Sequence, residues 1–114
     1  MSDTQYEERI VRTLAAFQRN RYDVSRFAER TAAADYLAAE IRGKRVGFGD
    51  SETLRALSLY ERLSEHNEVI DPPRAGHVGG IEAFLAAGRE ALMTDVFLLS
   101  ANAITEEGQI LNMD

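Results

Sequence analysis

Tyr6, Ile10, Leu14 and Phe17 recur at intervals of four, four and three residues, a spacing that predicts an amphipathic helix ending near Asn20. Thr4 and Glu7 stand ahead of it at capping-box spacing. Tyr22 to Phe27 reads as a short strand. Thr31 to Ile41 reads as an alanine-rich helix with Ala34, Leu37, Ala38 and Ile41 on one side, stopped by Gly43. Arg45 to Phe48 predicts a buried strand, followed by a tight glycine turn and a helix capped by Ser51. The inward stripe of that helix is Leu54, Leu57, Tyr60 and Leu63.

Glu68 to Ile70 begins a further strand, which Asp71-Pro72-Pro73 breaks because proline donates no ladder hydrogen bond and restricts the residue before it. Arg74 to Gly80 reads as a polar, glycine-rich loop. Helical spacing returns at Ile81, Phe84, Leu85, Gly88 and Leu92, and the apolar run from Asp95 to Ser100 suits a central strand. After the turn at Glu107-Gly108, Gln109 to Met113 is expected to pair with a neighbour. Alternating strands and helices predict an α/β fold with a mostly parallel sheet covered on both faces. The chain reads as one domain, 1–114, in which 1–44 is a helical lead-in and 45–114 bears the motifs. Because the chain stops at Asp114, just after its last strand begins, an exposed sheet edge or closure by a partner is expected. Such an edge favours a homo-oligomer.

Composition narrows the function classes. Hydrophobic residues make up 45% and charged residues 28% of the 114, the range of an ordinary globular domain. The 13 basic residues are scattered among 19 acidic ones, for a net charge of −6, whereas nucleic-acid binding calls for a basic stripe. With no cysteine, the chain has no thiolate metal site, iron–sulfur cluster or cysteine nucleophile of its own. Any redox chemistry is therefore expected of a partner. No apolar stretch approaches the roughly 20 residues of a membrane helix, and the acidic N-terminus resembles no targeting signal. The expected location is the cytoplasm.

Two constellations carry candidate chemistry. In Val46-Gly47-Phe48-Gly49-Asp50-Ser51, a strand delivers Gly47, Gly49 and Ser51 onto a helix start. That arrangement lets backbone amides approach a phosphate or carboxylate, and it also describes an ordinary βα turn with Ser51 as N-cap. Asp50 and Glu52 already complement the helix dipole, which weakens the anion reading. The second constellation is the stretch after Ser100, where Asn102, Thr105, Asn112 and Asp114 leave the carboxyl end of a strand. Open parallel sheets place ligands there, and the same residue types also build turns for their own sake. His77 is a candidate acid, base or ligand in the glycine-rich loop, or simply a solvated side chain. With two histidines and no cysteine, no metal site and no cofactor are expected.

The blocks VGFGDSETLRALSLYERL, EVIDPPRAG and ALMTDVFLLSANAITEEGQILNMD, over roughly residues 40 to 114, resemble successive blocks of the lactate-utilisation (LUD) domain family. As a member of it the chain would be a short or truncated one. The resemblance implies a three-layer αβα fold of the sugar-phosphate isomerase and CoA-transferase type. It also implies a role beside iron–sulfur companion proteins in oxidising L-lactate to pyruvate. On that reading the chain binds a small anionic metabolite through Gly47, Gly49, Ser51, Asn102, Thr105, Asn112 and Asp114, and whether it is itself an enzyme is open. A more distant likeness, to methylthioribose-phosphate isomerase, covers Ser100 to Ile104, Gly108 and Asn112. Where that isomerase has an acid/base aspartate this chain has Asn102, and an amide does not exchange protons near neutral pH. The competing readings are a non-catalytic interaction or regulatory subunit and a sugar-phosphate isomerase-like enzyme.

Overall fold

The structure is a computed structural model and describes residues 1–113. In chain order its elements are α1 (Asp3–Arg19), α2 (Arg30–Glu40), β1 (Arg45–Phe48), α3 (Glu52–Ala56), α4 (Leu59–Ser64), β2 (Glu68–Ile70), α5 (Pro72–Ala91), β3 (Val96–Leu98), β4 (Ala103–Ile104) and β5 (Ile110–Leu111). They fall into two compact units. The larger is Phe27–Ser100, and the smaller joins Met1–Arg26 to the residues from Ala101 onward.

In the larger unit, β1 is the middle strand of a parallel sheet ordered β2-β1-β3. Its side chains alternate: Val46 and Phe48 are buried among Ala34, Ile41, Leu54, Leu59 and Leu63 from α2, α3 and α4. Gly47, between them, passes against the end of α5, where a methyl group in its place would lie 2.4 Å from the Ala91 carbonyl oxygen. A second cluster, Ile70 with Ala87 and Ala91, joins β2 to α5. The run from Asp95 to Ser100, expected to be central, instead supplies the edge strand β3, and Phe97 on it is exposed. Its apolar composition is matched by only one neighbouring strand.

The helix expected from Ser51 to Leu63 is two helices. Ser58 adopts left-handed backbone (φ 52°), which ends α3 and restarts the chain as α4. Of the expected inward stripe, Leu54 and Leu63 reach the core and Leu57 and Tyr60 pack half-buried against it, while Leu59, outside that stripe, is fully buried. Asn67 fastens this corner: its side-chain amide donates to the carbonyls of Ile41 (2.8 Å) and Leu63 (2.9 Å), and its Oδ1 accepts from the Lys44 amide (3.0 Å). The ends of two helices and the approach to β1 are thereby satisfied at once.

The segment from Arg74 to Gly80, expected to be a loop, is helical as far as Gly79. Asp71 is the N-cap of α5 and its carboxylate accepts from the Arg74 amide, while Pro72 and Pro73 occupy the first helical positions, where a missing N–H costs nothing. The prolines that end β2 therefore also start α5. At Gly80 (φ 79°) the helix kinks. Gly76 and Gly79 sit close to the far side of that bend, since a methyl group on Gly79 would meet the Ala83 side chain at 2.7 Å.

In the smaller unit α1 begins with a capping box, formed by Ser2 and Gln5 rather than by Thr4 and Glu7. Only its last turns are buried, at Ala16 and Phe17; Tyr6, expected in the core stripe, is 58% exposed. Tyr22 to Phe27 forms no strand, and Tyr22 packs edge-on against Phe17. Strands β4 and β5 pair as an antiparallel hairpin, giving Gln109 to Met113 its expected neighbour in the shorter element Ile110–Leu111. Asn20 donates to the carbonyls of Glu107 and Gly108, each at 3.0 Å, and Arg9 pairs with Glu106. The hydrogen bond from Arg9 holds the Glu106 carboxyl below its ordinary range, as the bond from Arg26 does for Glu7.

Gly108 has positive φ (85°), and a methyl group there would lie 2.9 Å from the Ala16 carbonyl oxygen. Gly108→Ala is expected to cost about 2 kcal/mol, mainly from the left-handed backbone. Hydrogen exchange at the Thr105 amide, which bonds the Gln109 carbonyl, should accelerate more than tenfold by about that energy. Unchanged protection would contradict the docking described for this unit.

Candidate functional site

Parallel strands aim their carboxyl ends at one rim, and the turns leaving that rim are where ligands meet such sheets. In the larger unit β1 runs out into Gly49-Asp50-Ser51 and β2 into Asp71. Between these exits opens a cleft of about 770 Å³. Its walls come from the α3 start (Asp50, Glu52, Arg55), from α4 (Tyr60, Glu61) and from the first two turns of α5 (Asp71, Pro73, Arg74, His77, Val78), with Phe48 and Leu54 also lining it.

The cleft holds two guanidinium groups. Arg55 is tied to Asp50 (2.9 Å) and Glu52 (2.6 Å), and those hydrogen bonds raise its pKa further. Arg74 sits over Tyr60, its Cζ 3.7 Å from the ring centroid, and meets Glu61 through Nη2 at 3.1 Å. With Asp50, Glu52, Glu61 and Asp71 against Arg55 and Arg74, carboxylates outnumber cations by four to two. His77 is three residues after Arg74, so both project from one side of α5 toward the same space. Among the described residues, no group of three or more histidine, aspartate or glutamate side chains is placed to hold a metal ion.

The residues expected to bind ligand are found in several settings. Gly47 lies inside β1 against Ala91 and Thr94, and Gly49 lies against Leu98 and Leu99, with its amide donating to the Leu98 carbonyl at 2.8 Å. Ser51 is buried; its hydroxyl accepts from the Leu54 amide (3.2 Å) and donates to Ser100 Oγ (2.8 Å), joining the exits of β1 and β3. In the smaller unit, Asn102 Oδ1 accepts from the Met113 amide (2.7 Å), Asn112 Oδ1 from the Asn102 amide (3.2 Å), and Thr105 Oγ1 from the Gln109 amide (3.0 Å). The hairpin thus brings Asn102 and Asn112 together, and all three polar side chains meet the backbone of their own hairpin. Asp114 lies outside the described residues.

Arg55, Tyr60, Glu61, Asp71 and Arg74 are the lining groups that reading the sequence did not single out. One local signal was present: an acidic residue before two prolines is an N-cap followed by two helical positions that need no N–H. Taking it so places Arg74 and His77 on a helix at the strand exit.

The larger unit is a parallel α/β unit with a polar cleft at the carboxyl rim of its sheet. The LUD domain model matches residues 10–114, most of the chain, and the match runs through both units. The chain is a member of the LUD domain family. No curated protein and no solved structure matches it. Among the described residues no helix is long and apolar enough to cross a membrane.

Proposed function

We propose that this LUD domain protein serves lactate utilisation in the cytoplasm by holding a small carboxylate metabolite in the cleft where β1 and β2 end. The observation that supports this most is Arg74: a guanidinium held over an aromatic ring at the carboxyl rim lines the cleft with its planar set of donors. That geometry suits a carboxylate better than a point charge would. His77, on the same side of α5, is placed to meet a hydroxyl or carbonyl next to that carboxylate. The proposal includes the three-layer, isomerase-like arrangement and iron–sulfur companion proteins that carry the electrons. Gly47, Gly49 and Ser51 would form the strand and turn that lead to the rim of this cleft, and Asn102, Thr105, Asn112 and Asp114 would be a separate set of polar groups for ligand oxygens.

Calorimetric titration of the full chain with pyruvate and with L-lactate tests the reading. Binding is expected, and Arg74→Gln is expected to weaken it by about tenfold, the worth of a hydrogen bond to a charged group near solvent. Its melting temperature should hardly move, because Arg74 is an exposed residue. Absence of binding, or equal affinity in the variant, would contradict the proposal.

A second reading, an interaction subunit without turnover, is favoured by a separate observation. Among the described residues strand β3 pairs only with β1, and Leu92, Met93, Phe97 and Leu99 around it are exposed apolar residues.

A further inference from the structure

We infer that Glu61 is an internal competitor for the ligand's carboxylate, occupying Arg74 until a ligand displaces it. The inference rests on the cleft being a carboxylate site, and it adds how that site is regulated and which residue sets its affinity.

The geometry separates what orients Arg74 from what occupies it. Tyr60 holds the guanidinium over its ring, with Cζ 3.7 Å from the centroid, a contact that does not depend on any carboxylate. Asp71 fixes the start of α5 by accepting from the Arg74 amide, which sets where the side chain leaves the helix. Glu61 adds neither function. It touches Nη2 through one oxygen, at 3.1 Å, while its side chain is 62% exposed. A two-pronged carboxylate–guanidinium pair would be shorter and doubly bonded. A single contact at this exposure is easily exchanged for another anion, because solvent screens it and it holds two long side chains in place.

The other cation of the cleft behaves differently. Arg55 is gripped by both Asp50 and Glu52 at 2.9 and 2.6 Å. An incoming carboxylate would have to break two contacts there and one at Arg74. Glu61 and Tyr60 are consecutive in α4, and both reach Arg74, the ring under Cζ and the carboxylate at Nη2. When ligand binds, Glu61 has only to turn outward into water, with no movement of α4 or α5.

Two substitutions separate competition from simple repulsion. Glu61→Gln removes the competing charge, whereas Glu61→Asp keeps the charge and withdraws it from Arg74 by one methylene. Pyruvate is the probe, titrated at fixed ionic strength into the full-length protein and followed by the Arg74 Nε–H resonance. Both variants are expected to bind pyruvate about three- to fivefold more tightly than the parent, the range of an exposed ion pair. If only Glu61→Gln tightens binding, loss of repulsion accounts for the gain and the inference falls. If pyruvate binds through Arg74 but neither variant changes its affinity, the inference falls while the cleft keeps its role. If pyruvate binds none of the three proteins, the carboxylate site itself is wrong, and the inference with it.

Discussion

Gly47→Ala is expected to lower the stability of the protein by about 3 kcal/mol or more, with a fall in Tm of about 12 °C or more. The cause is steric and has no easy relief. The added methyl group would stand 2.4 Å from the Ala91 carbonyl oxygen and 2.9 Å from Thr94 Oγ1. Thr94 is itself held by its hydrogen bond to that same carbonyl, at 2.7 Å. Strand β1 cannot retreat, because β2 and β3 flank it in register and Val46 and Phe48 fill the core on its other side. The end of α5 would have to lift away, which opens the cluster of Ile70, Ala87 and Ala91. Thermal unfolding followed by far-ultraviolet circular dichroism checks this. A variant melting within about 2 °C of the parent would mean that α5 does not close on β1 as described, since 1 kcal/mol corresponds to several degrees in a domain of this size.

Leu59→Ala is expected to cost about 3 kcal/mol for the opposite reason, a void instead of a clash. Leu59 is fully buried and begins α4 directly after the left-handed Ser58, so it anchors the restart of the chain on the core formed by Ala34, Val46, Phe48 and Leu63. Leucine and alanine differ little in helix propensity, so the loss is one of packing. Denaturant titration should show a lower midpoint with an unchanged slope. A midpoint shift worth less than about 1 kcal/mol would mean that the site collapses around the smaller side chain, or that Leu59 does not anchor α4.

Both predictions concern a core that was largely legible in the chain. Val46, Phe48, Leu54 and Leu63 were expected to be buried from periodicity, and they are. What local pattern did not reveal was where elements end and which strand lies in the middle. Nothing in Leu57-Ser58-Leu59 marks Ser58 as left-handed. The residue conforms to the packing of Leu54 and Leu59 on one core, a tertiary demand that overrides a continuous helical stripe. Likewise the apolar run of β3 reads as central although the strand lies at an edge with Phe97 exposed, because an apolar run does not encode the presence of a second neighbouring strand.

The site was legible only as a location. The turn after β1 and the rim of the sheet followed from strand–glycine–helix order. The groups that line the cleft from the other side did not, because they sit on a helix whose glycines suggested a loop. Arg74 meets Tyr60 and Glu61 across 14 and 13 residues of sequence, a pairing that no local spacing encodes. His77 was noticed as a residue and missed as part of a helix face.

The proposed binding place for a small carboxylate is the cleft at the ends of β1 and β2. A chemical-shift map of the uniformly labelled full chain during titration with pyruvate tests that most directly. The amides of Asp50, Arg55, Glu61, Asp71, Arg74 and His77 are predicted to move together and saturate with one binding constant. Saturable shifts confined to the hairpin from Ala103 to Leu111, or none at any pyruvate concentration reached, would contradict it.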